Sequence, residues 1–221
     1  MTTSTSAFNG SYALDARTRD ISADVLDGSG RLRILPAAYW ATTTPPERGL
    51  FCVRHGVYCL VTEELVAYLR EAIAGRSAIE IGAGNGVLAE ALGIPATDNF
   101  MQTWPQYRSS YEGAGQACVR YGQNALGLDA QAAIARYAPA GVIAAWVTHR
   151  YDPSEHGRGG NEVGVQEQDV IAGREYIFVG NERVHRSKPI WAVPHSIIYP
   201  SWLYSRAVNG TRDFIARWKT K

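Results

Sequence analysis

The chain has 221 residues, with 22 Lys and Arg against 21 Asp and Glu, for a formal net charge of +1. That length builds one sizeable core, or one core with an appendage, and a 46% hydrophobic content is that of a globular protein rather than a disordered one. No basic block or stripe is present and no apolar stretch is long enough to span a bilayer, so electrostatic binding to nucleic acid and membrane insertion are both excluded as expectations.

Cys52, Cys59 and Cys118 are an odd number without metal-like spacing. Cys52 and Cys59 stand in apolar surroundings and are expected to be buried free thiols. The polar Thr and Ser at the start show no charged-then-apolar leader pattern, so the expected setting is the cytoplasm.

Up to about Asp27 the chain is polar and poorly periodic. Residues 31–35 alternate like a strand and stop at Pro36, and residues 42–46 read as a loop on turn chemistry. Residues 51–53 and 57–60 are short apolar runs around Arg54, His55 and Gly56. Thr62 then has the character of an N-cap, with Glu63 and Glu64 in the first turn, where the helix dipole favours negative charge. The helix it opens puts Leu65, Leu69 and Ala72 or Ile73 on one face and ends at Gly75. Residues 1–75 are therefore read as an N-terminal extension packing over the ligand edge of a domain spanning 76–221.

That domain is organised around Ala78-Ile79-Glu80-Ile81-Gly82-Ala83-Gly84-Asn85-Gly86. A short buried strand leads into a turn with glycine at every second position, followed by a helix over 87–92 that stops at Gly93. Strand, glycine turn and helix make a cradle for a ligand that approaches the backbone where a Cβ would intrude. A second extended piece, residues 94–97, ends in Asp98, which a parallel sheet would set at its carboxyl edge beside the turn. The dinucleotide pattern G-x-G-x-x-G is not met, because Val87 stands where the third glycine would fall. No Lys-Ser or Lys-Thr pair follows, which excludes a P-loop. Glu80 would repel a pyrophosphate yet suits a cationic or amine-bearing ligand.

Beyond the turn, residues 116–121 read as a strand, 129–137 as an alanine-rich helix and 141–147 as a central parallel strand. Residues 165–172 are a helix candidate, 175–180 a buried strand, 202–208 a helix candidate and 213–218 a closing strand. The alternation predicts an α/β fold: a doubly wound, mostly parallel sheet with helices on both faces.

An acid followed by three alternating glycines, with a second acid at the next strand end, resembles the class I S-adenosylmethionine-dependent methyltransferases. The resemblance covers roughly residues 76–221, is specific at residues 80–86 and at Asp98, and is loose afterwards. It implies S-adenosyl-L-methionine as cofactor, with Glu80, Gly82, Gly84, Asn85 and Gly86 at its methionine end and Asp98 on its ribose. In related enzymes a polar-Ala-Leu segment meets the adenine, which here points to Asn124 and Ala125. The Asn/Asp-Pro-Pro-aromatic motif of amine and base methyltransferases is missing at residues 146–153, so the acceptor is left open. Trp146 and Thr148 are candidates for lining the cavity near the reacting sulfonium.

Cation–π contact with a sulfonium adds Tyr58, Tyr107 and Tyr111 as first candidates among the aromatic residues near this edge, with Tyr107 and Tyr111 placed beside the reaction. Arg54 and His55 could reach a ligand carboxylate. Residues 152–164 form a polar, glycine-rich loop with the composition of a lid. His156 and Glu155 lack a ligand spacing, and no metal is expected. The leading expectation is a methyltransferase acting on a small molecule, with no nucleic acid or membrane partner. Two alternatives are intramolecular cyclisation releasing methylthioadenosine, as in azetidine-2-carboxylate synthases, and a non-catalytic ligand-binding or regulatory protein.

Overall fold

The computed structural model describes residues 5–7, 10–12 and 17–219. The strand pair β1 (Thr5–Ala7) and β2 (Gly10–Tyr12) precedes α1 (Ser22–Val25), α2 (Ala37–Ala41) and α3 (Pro45–His55). β3 (Cys59–Leu60) leads into α4 (Glu63–Ile73). The alternation runs β4 (Ala78–Ile81), α5 (Val87–Leu92), β5 (Ala96–Asp98), α6 (Pro105–Gly113), β6 (Ala125–Gly127), α7 (Ala130–Tyr137), β7 (Gly141–Ala145), α8 (Glu167–Val170) and β8 (Glu175–Asn181). One helical turn, α9 (Glu182–His185), and the strands β9 (Ser196–Ile198), β10 (Tyr204–Ser205) and β11 (Asp213–Trp218) follow.

Seven strands form one sheet in the order β6-β5-β4-β7-β8-β11-β9. The neighbours from β6 through β8 pair in parallel, and β11 runs antiparallel to both β8 and β9. This is the doubly wound α/β arrangement that the alternation of elements predicts. Its central strands are apolar on both faces because each face is covered. Ala78, Ile143, Ile177, Val179 and Ile215 point into a core with Val25, Trp40, Phe51, Leu65 and Leu88, so α1 to α5 cover that face. Their neighbours Ile79, Ile81, Val142, Ala144, Tyr176 and Phe178 turn to the other face, under Ala133 of α7 and Val170 of α8.

Several local expectations hold. The Thr62 hydroxyl accepts the Leu65 N–H at 3.0 Å as the N-cap of α4, and Asp129 caps α7 through the Ala132 N–H at 2.8 Å. Other elements differ. Residues 31–35 make only isolated bridges, at Leu32 to Leu26 and at Leu35 to Thr62. The apolar run at 51–53 lies inside α3, which opens with a capping box: Glu47 N–H to the Thr44 hydroxyl and Thr44 N–H to Glu47 Oε2, with Pro45 in the first turn.

Residues 116–121 form no strand; the third parallel strand is β6, further along. Residues 202–208 are not helical but include β10, which pairs with β3 and ties the N-terminal part of the chain to the C-terminal part. The helix expected at 165–172 is the single turn α8. All three cysteines are free, and Cys52 is buried. No helix among the described residues is long and apolar enough to cross a membrane.

Candidate functional site

The chain leaves β4, passes to β5 and β6 on one side, and returns to β7 and β8 on the other. The carboxyl ends of β4 and β7 thus flank the point where strand order reverses, where open α/β sheets hold ligands. A cavity of about 180 Å³ lies there. Its walls are residues 80–85 from β4 and the turn, Asp98 and Gln102 beyond β5, residues 128–131 beyond β6 and residues 145–148 beyond β7.

Gly82, Gly84 and Gly86 take φ of 60°, 53° and 69°, the left-handed region that penalises side chains. They serve two purposes. A Cβ at Gly82 would stand 2.4 Å from Val147 Cγ1, and one at Gly86 would stand 2.3 Å from Asn124 Oδ1. These two glycines are demanded by packing behind the turn. At Gly84 the nearest atom to a Cβ is Val119 Cγ1 at 3.4 Å, so this glycine borders the open space of the cavity.

Asp98 closes the turn from the far side. Its Oδ2 accepts the Gly84 N–H at 3.0 Å and its Oδ1 accepts the Phe100 N–H at 2.9 Å. Burial pushes its carboxyl above the usual range, against those two hydrogen bonds. Glu80 is 2% exposed, and its Oε2 accepts the Ala89 N–H of α5 at 2.9 Å. Burial, reinforced by the charge of Asp98, pushes Glu80 up to about 8. Both acids line the cavity, and each anchors backbone while doing so. Asn85 also lines it, and its Oδ1 accepts the Val87 N–H at 3.1 Å.

β7 ends in a kink. Trp146 takes φ of 64°, unusual for a large residue, and its N–H donates to Val179 O at 2.9 Å. The indole lies 6.2 Å from the Tyr58 ring and edge-on to His185 at 5.1 Å, and its Nε1 is buried without a partner. Tyr58, Tyr111, Trp146 and Thr148 line the turn cavity and also a larger neighbouring one of about 400 Å³. Burial and the nearby Tyr58 push the Tyr111 phenol above its ordinary range.

Five sequence-derived candidates fall elsewhere. Asn124 and Ala125 lie at the start of β6 rather than beyond its end, because the expected strand was placed too early. The Asn124 amide donates to Gly86 O at 2.9 Å, bracing the turn from behind, while the wall beyond β6 is made by residues 128–131. Tyr107 is not in the cavity wall; its hydroxyl meets Asn161 Oδ1 at 3.4 Å. Arg54 is held by Asp20 at 2.8 Å and His55 Nε2 by the Ser22 hydroxyl at 2.8 Å, both away from the cavities.

Sequence reasoning missed Gln102, which is 7% exposed. Its N–H donates to the Tyr121 hydroxyl at 3.2 Å, its Nε2 to the Tyr58 hydroxyl at 3.3 Å, and its Oε1 accepts the Val119 N–H at 2.8 Å. It fastens three walls of the cavity together. It also missed Arg206, His185 and Lys188, which line the larger cavity and which no local motif marks. The 152–164 loop is pinned to the edge of the sheet by Arg150 N–H to Val165 O and Asn161 N–H to His149 O. Its Asn161, Val163 and Gly164 line the turn cavity, and Arg158, Gly159 and Gly160 the larger one.

No family model and no curated protein matches the chain. Among solved structures, it is similar to the precorrin-6y C5,15-methyltransferase from Geobacter metallireducens at 11% identity and a TM-score of 0.37, covering 72% of this chain and 89% of that one. It is also similar to a SAM dependent methyltransferase from Agrobacterium tumefaciens at 12% identity and a TM-score of 0.33, covering 71% of this chain and 61% of that one. The architecture rests on its own strand order, a mostly parallel seven-stranded sheet with helices on both faces.

Proposed function

We propose that the chain binds S-adenosylmethionine across the glycine turn and transfers its methyl group to a small molecule, with residues 76–221 forming the cofactor-binding unit and residues 1–75 the cap. The observation that carries this reading is the cradle at Gly84, where a positive-φ backbone borders the cavity and Asp98 stands opposite it at the end of β5. A Cβ at Gly84 would enter the space in which the ligand meets the backbone.

The ionisable side chains around this cavity suit a cation. Glu80, Asp98 and Asp129 are its carboxyl groups, and no Lys or Arg joins them in the wall. S-adenosylmethionine, when bound, supplies an activated electrophilic methyl carbon. The chain's own part is to hold, align and dry the site. Asp98 offers a carboxylate to ribose hydroxyls, and Glu80 lies at the base of the turn toward a cationic ligand end. Tyr58 and Trp146 line the cavity, and a sulfonium over the face of such a ring gains about 0.5–2 kcal/mol. Thr148 and Tyr111 border both cavities, so the larger one offers room for a separate acceptor beside the cofactor.

Product analysis tests this reading. The purified chain is incubated with S-adenosylmethionine alone and then with a metabolite extract. S-adenosylhomocysteine that appears only with the extract is the expected result. Methylthioadenosine formed without the extract would assign a cyclising reaction instead, and binding without turnover would assign a non-catalytic role.

A further inference from the structure

The larger cavity lies beyond β7 and β8, roofed by α9 and by the segment between β10 and β11. It has no Asp or Glu in its wall, whereas Arg158, Lys188, Arg206, His149 and His185 all line it. Two of the three cations are already answered. The buried Lys188 Nζ meets Glu167 Oε2 at 2.9 Å, with Glu167 also accepting from the Tyr176 hydroxyl at 2.8 Å, and Arg158 pairs with Glu155 at 2.9 Å.

Arg206 differs. It forms no ion pair with a carboxylate among the described residues, yet it is fixed on three sides. Its backbone N–H donates to Tyr58 O at 3.0 Å, its guanidinium stacks on the Tyr58 ring at 4.3 Å, and its Nη2 donates to Gln116 Oε1 at 2.9 Å. Such a fork is held in place with donors to spare, which is the preorganisation that carboxylate recognition needs. A second, independent observation points to a ligand in this cavity. His149 is 9% exposed, and its Nε2 is buried without a hydrogen-bond partner.

We infer that the larger cavity is the acceptor site and that it takes a small organic carboxylate, anchored by Arg206. The assignment of an acceptor rests on the cofactor reading above; the preference for a carboxylate stands on the cavity itself. A volume of about 400 Å³ with Tyr58, Tyr111 and Trp146 in its wall suits an acid that also carries a flat apolar group.

The full chain is titrated by calorimetry with phenylacetate and with phenylacetamide, which share a shape and differ in charge. Phenylacetate is expected to bind at least about tenfold more tightly. Arg206→Gln should bring the two probes level, and Arg206→Lys should restore part of the difference. Both variants should still bind S-adenosylmethionine. Phenylacetate binding no tighter than phenylacetamide, absence of binding by both included, would overturn the inference. So would a preference that survives in Arg206→Gln. Loss of S-adenosylmethionine binding in Arg206→Gln would overturn it too, by giving the guanidinium to the cofactor's own carboxylate. Failure of the unmodified chain to bind S-adenosylmethionine is a separate result: it overturns the cofactor reading and the assignment of an acceptor, whereas the carboxylate preference is decided by the two probes.

Discussion

Around the glycine turn the carboxyl groups are Glu80, Asp98 and Asp129, each accepting a backbone N–H. Across Trp146, one kink further along the same sheet edge, the wall holds Arg158, Lys188 and Arg206 and no carboxylate at all. The two regions share Tyr58, Tyr111, Trp146 and Thr148, so the boundary between opposite charges runs through aromatic rings. A cationic donor and an anionic acceptor would each find the complementary end. The comparison teaches that polarity here is set side by side on one scaffold by which strand end supplies the wall.

The largest expected effect falls on the acidic end. Gly84→Val should weaken S-adenosylmethionine binding by more than about 100-fold, because a branched side chain enters the cavity. The fold should survive at a cost of about 1–2 kcal/mol for the left-handed backbone, since Val119 at 3.4 Å is the only atom in reach of a Cβ. Calorimetry and thermal unfolding together read both numbers. Normal binding by this variant would place the cradle elsewhere.

Asp98→Asn comes next. Loss of charged hydrogen bonds worth about 1.5–3 kcal/mol predicts binding weaker by about 10- to 100-fold. Asp98→Ala should lose thermal stability as well, since the Gly84 and Phe100 N–H groups both give up their acceptor. Equal affinity in Asp98→Asn and the unmodified chain would remove the ribose assignment.

The same contrast explains what the sequence discloses. The acidic end is written locally: Glu80, three glycines and Asp98 lie close together in the chain, and strand, turn and strand bring them face to face with no further information. Residues 116–121 mimic a strand in composition but are held by scattered contacts such as Val119 N–H to Gln102, which puts Asn124 and Ala125 at the start of β6 and not beyond a strand end. The turn chemistry of residues 42–46 reads as a loop, yet Thr44 and Glu47 form the capping box that opens α3. The cationic end is not legible in this way. Arg206 reaches the cavity only because β10 pairs with β3, a tertiary contact that two-residue strands do not announce.

A smaller effect sharpens the electrostatics. Glu80 has its folded pKa raised from 4.5 to about 8 by burial, so the folded chain holds a proton there that the unfolded chain has released. Stability contributed by that proton is present below about pH 4.5 and is lost as pH rises toward about 8. Glu80→Gln, whose amide oxygen can still accept from Ala89, should remove a decline on the order of a few kcal/mol. Thermal unfolding of both proteins across this range measures it, and parallel profiles would show that Glu80 ionises freely.

The smallest expected change is in the 152–164 loop. Hydrogen exchange at Asn161, Val163 and Gly164, which line the turn cavity, should slow when S-adenosylmethionine is added. Equal exchange in both states would make the loop fixed wall rather than lid.

The central claim is that the acidic end takes a cationic cofactor. Calorimetric titration of S-adenosylmethionine near neutral pH, in two buffers of different ionisation enthalpy, tests it most directly. The account predicts saturable binding with release of protons, because a bound cation draws the Glu80 carboxyl into its ionised form, and Glu80→Gln should bind with little release. Absence of saturable binding, or binding that Gly84→Val leaves intact, would contradict it.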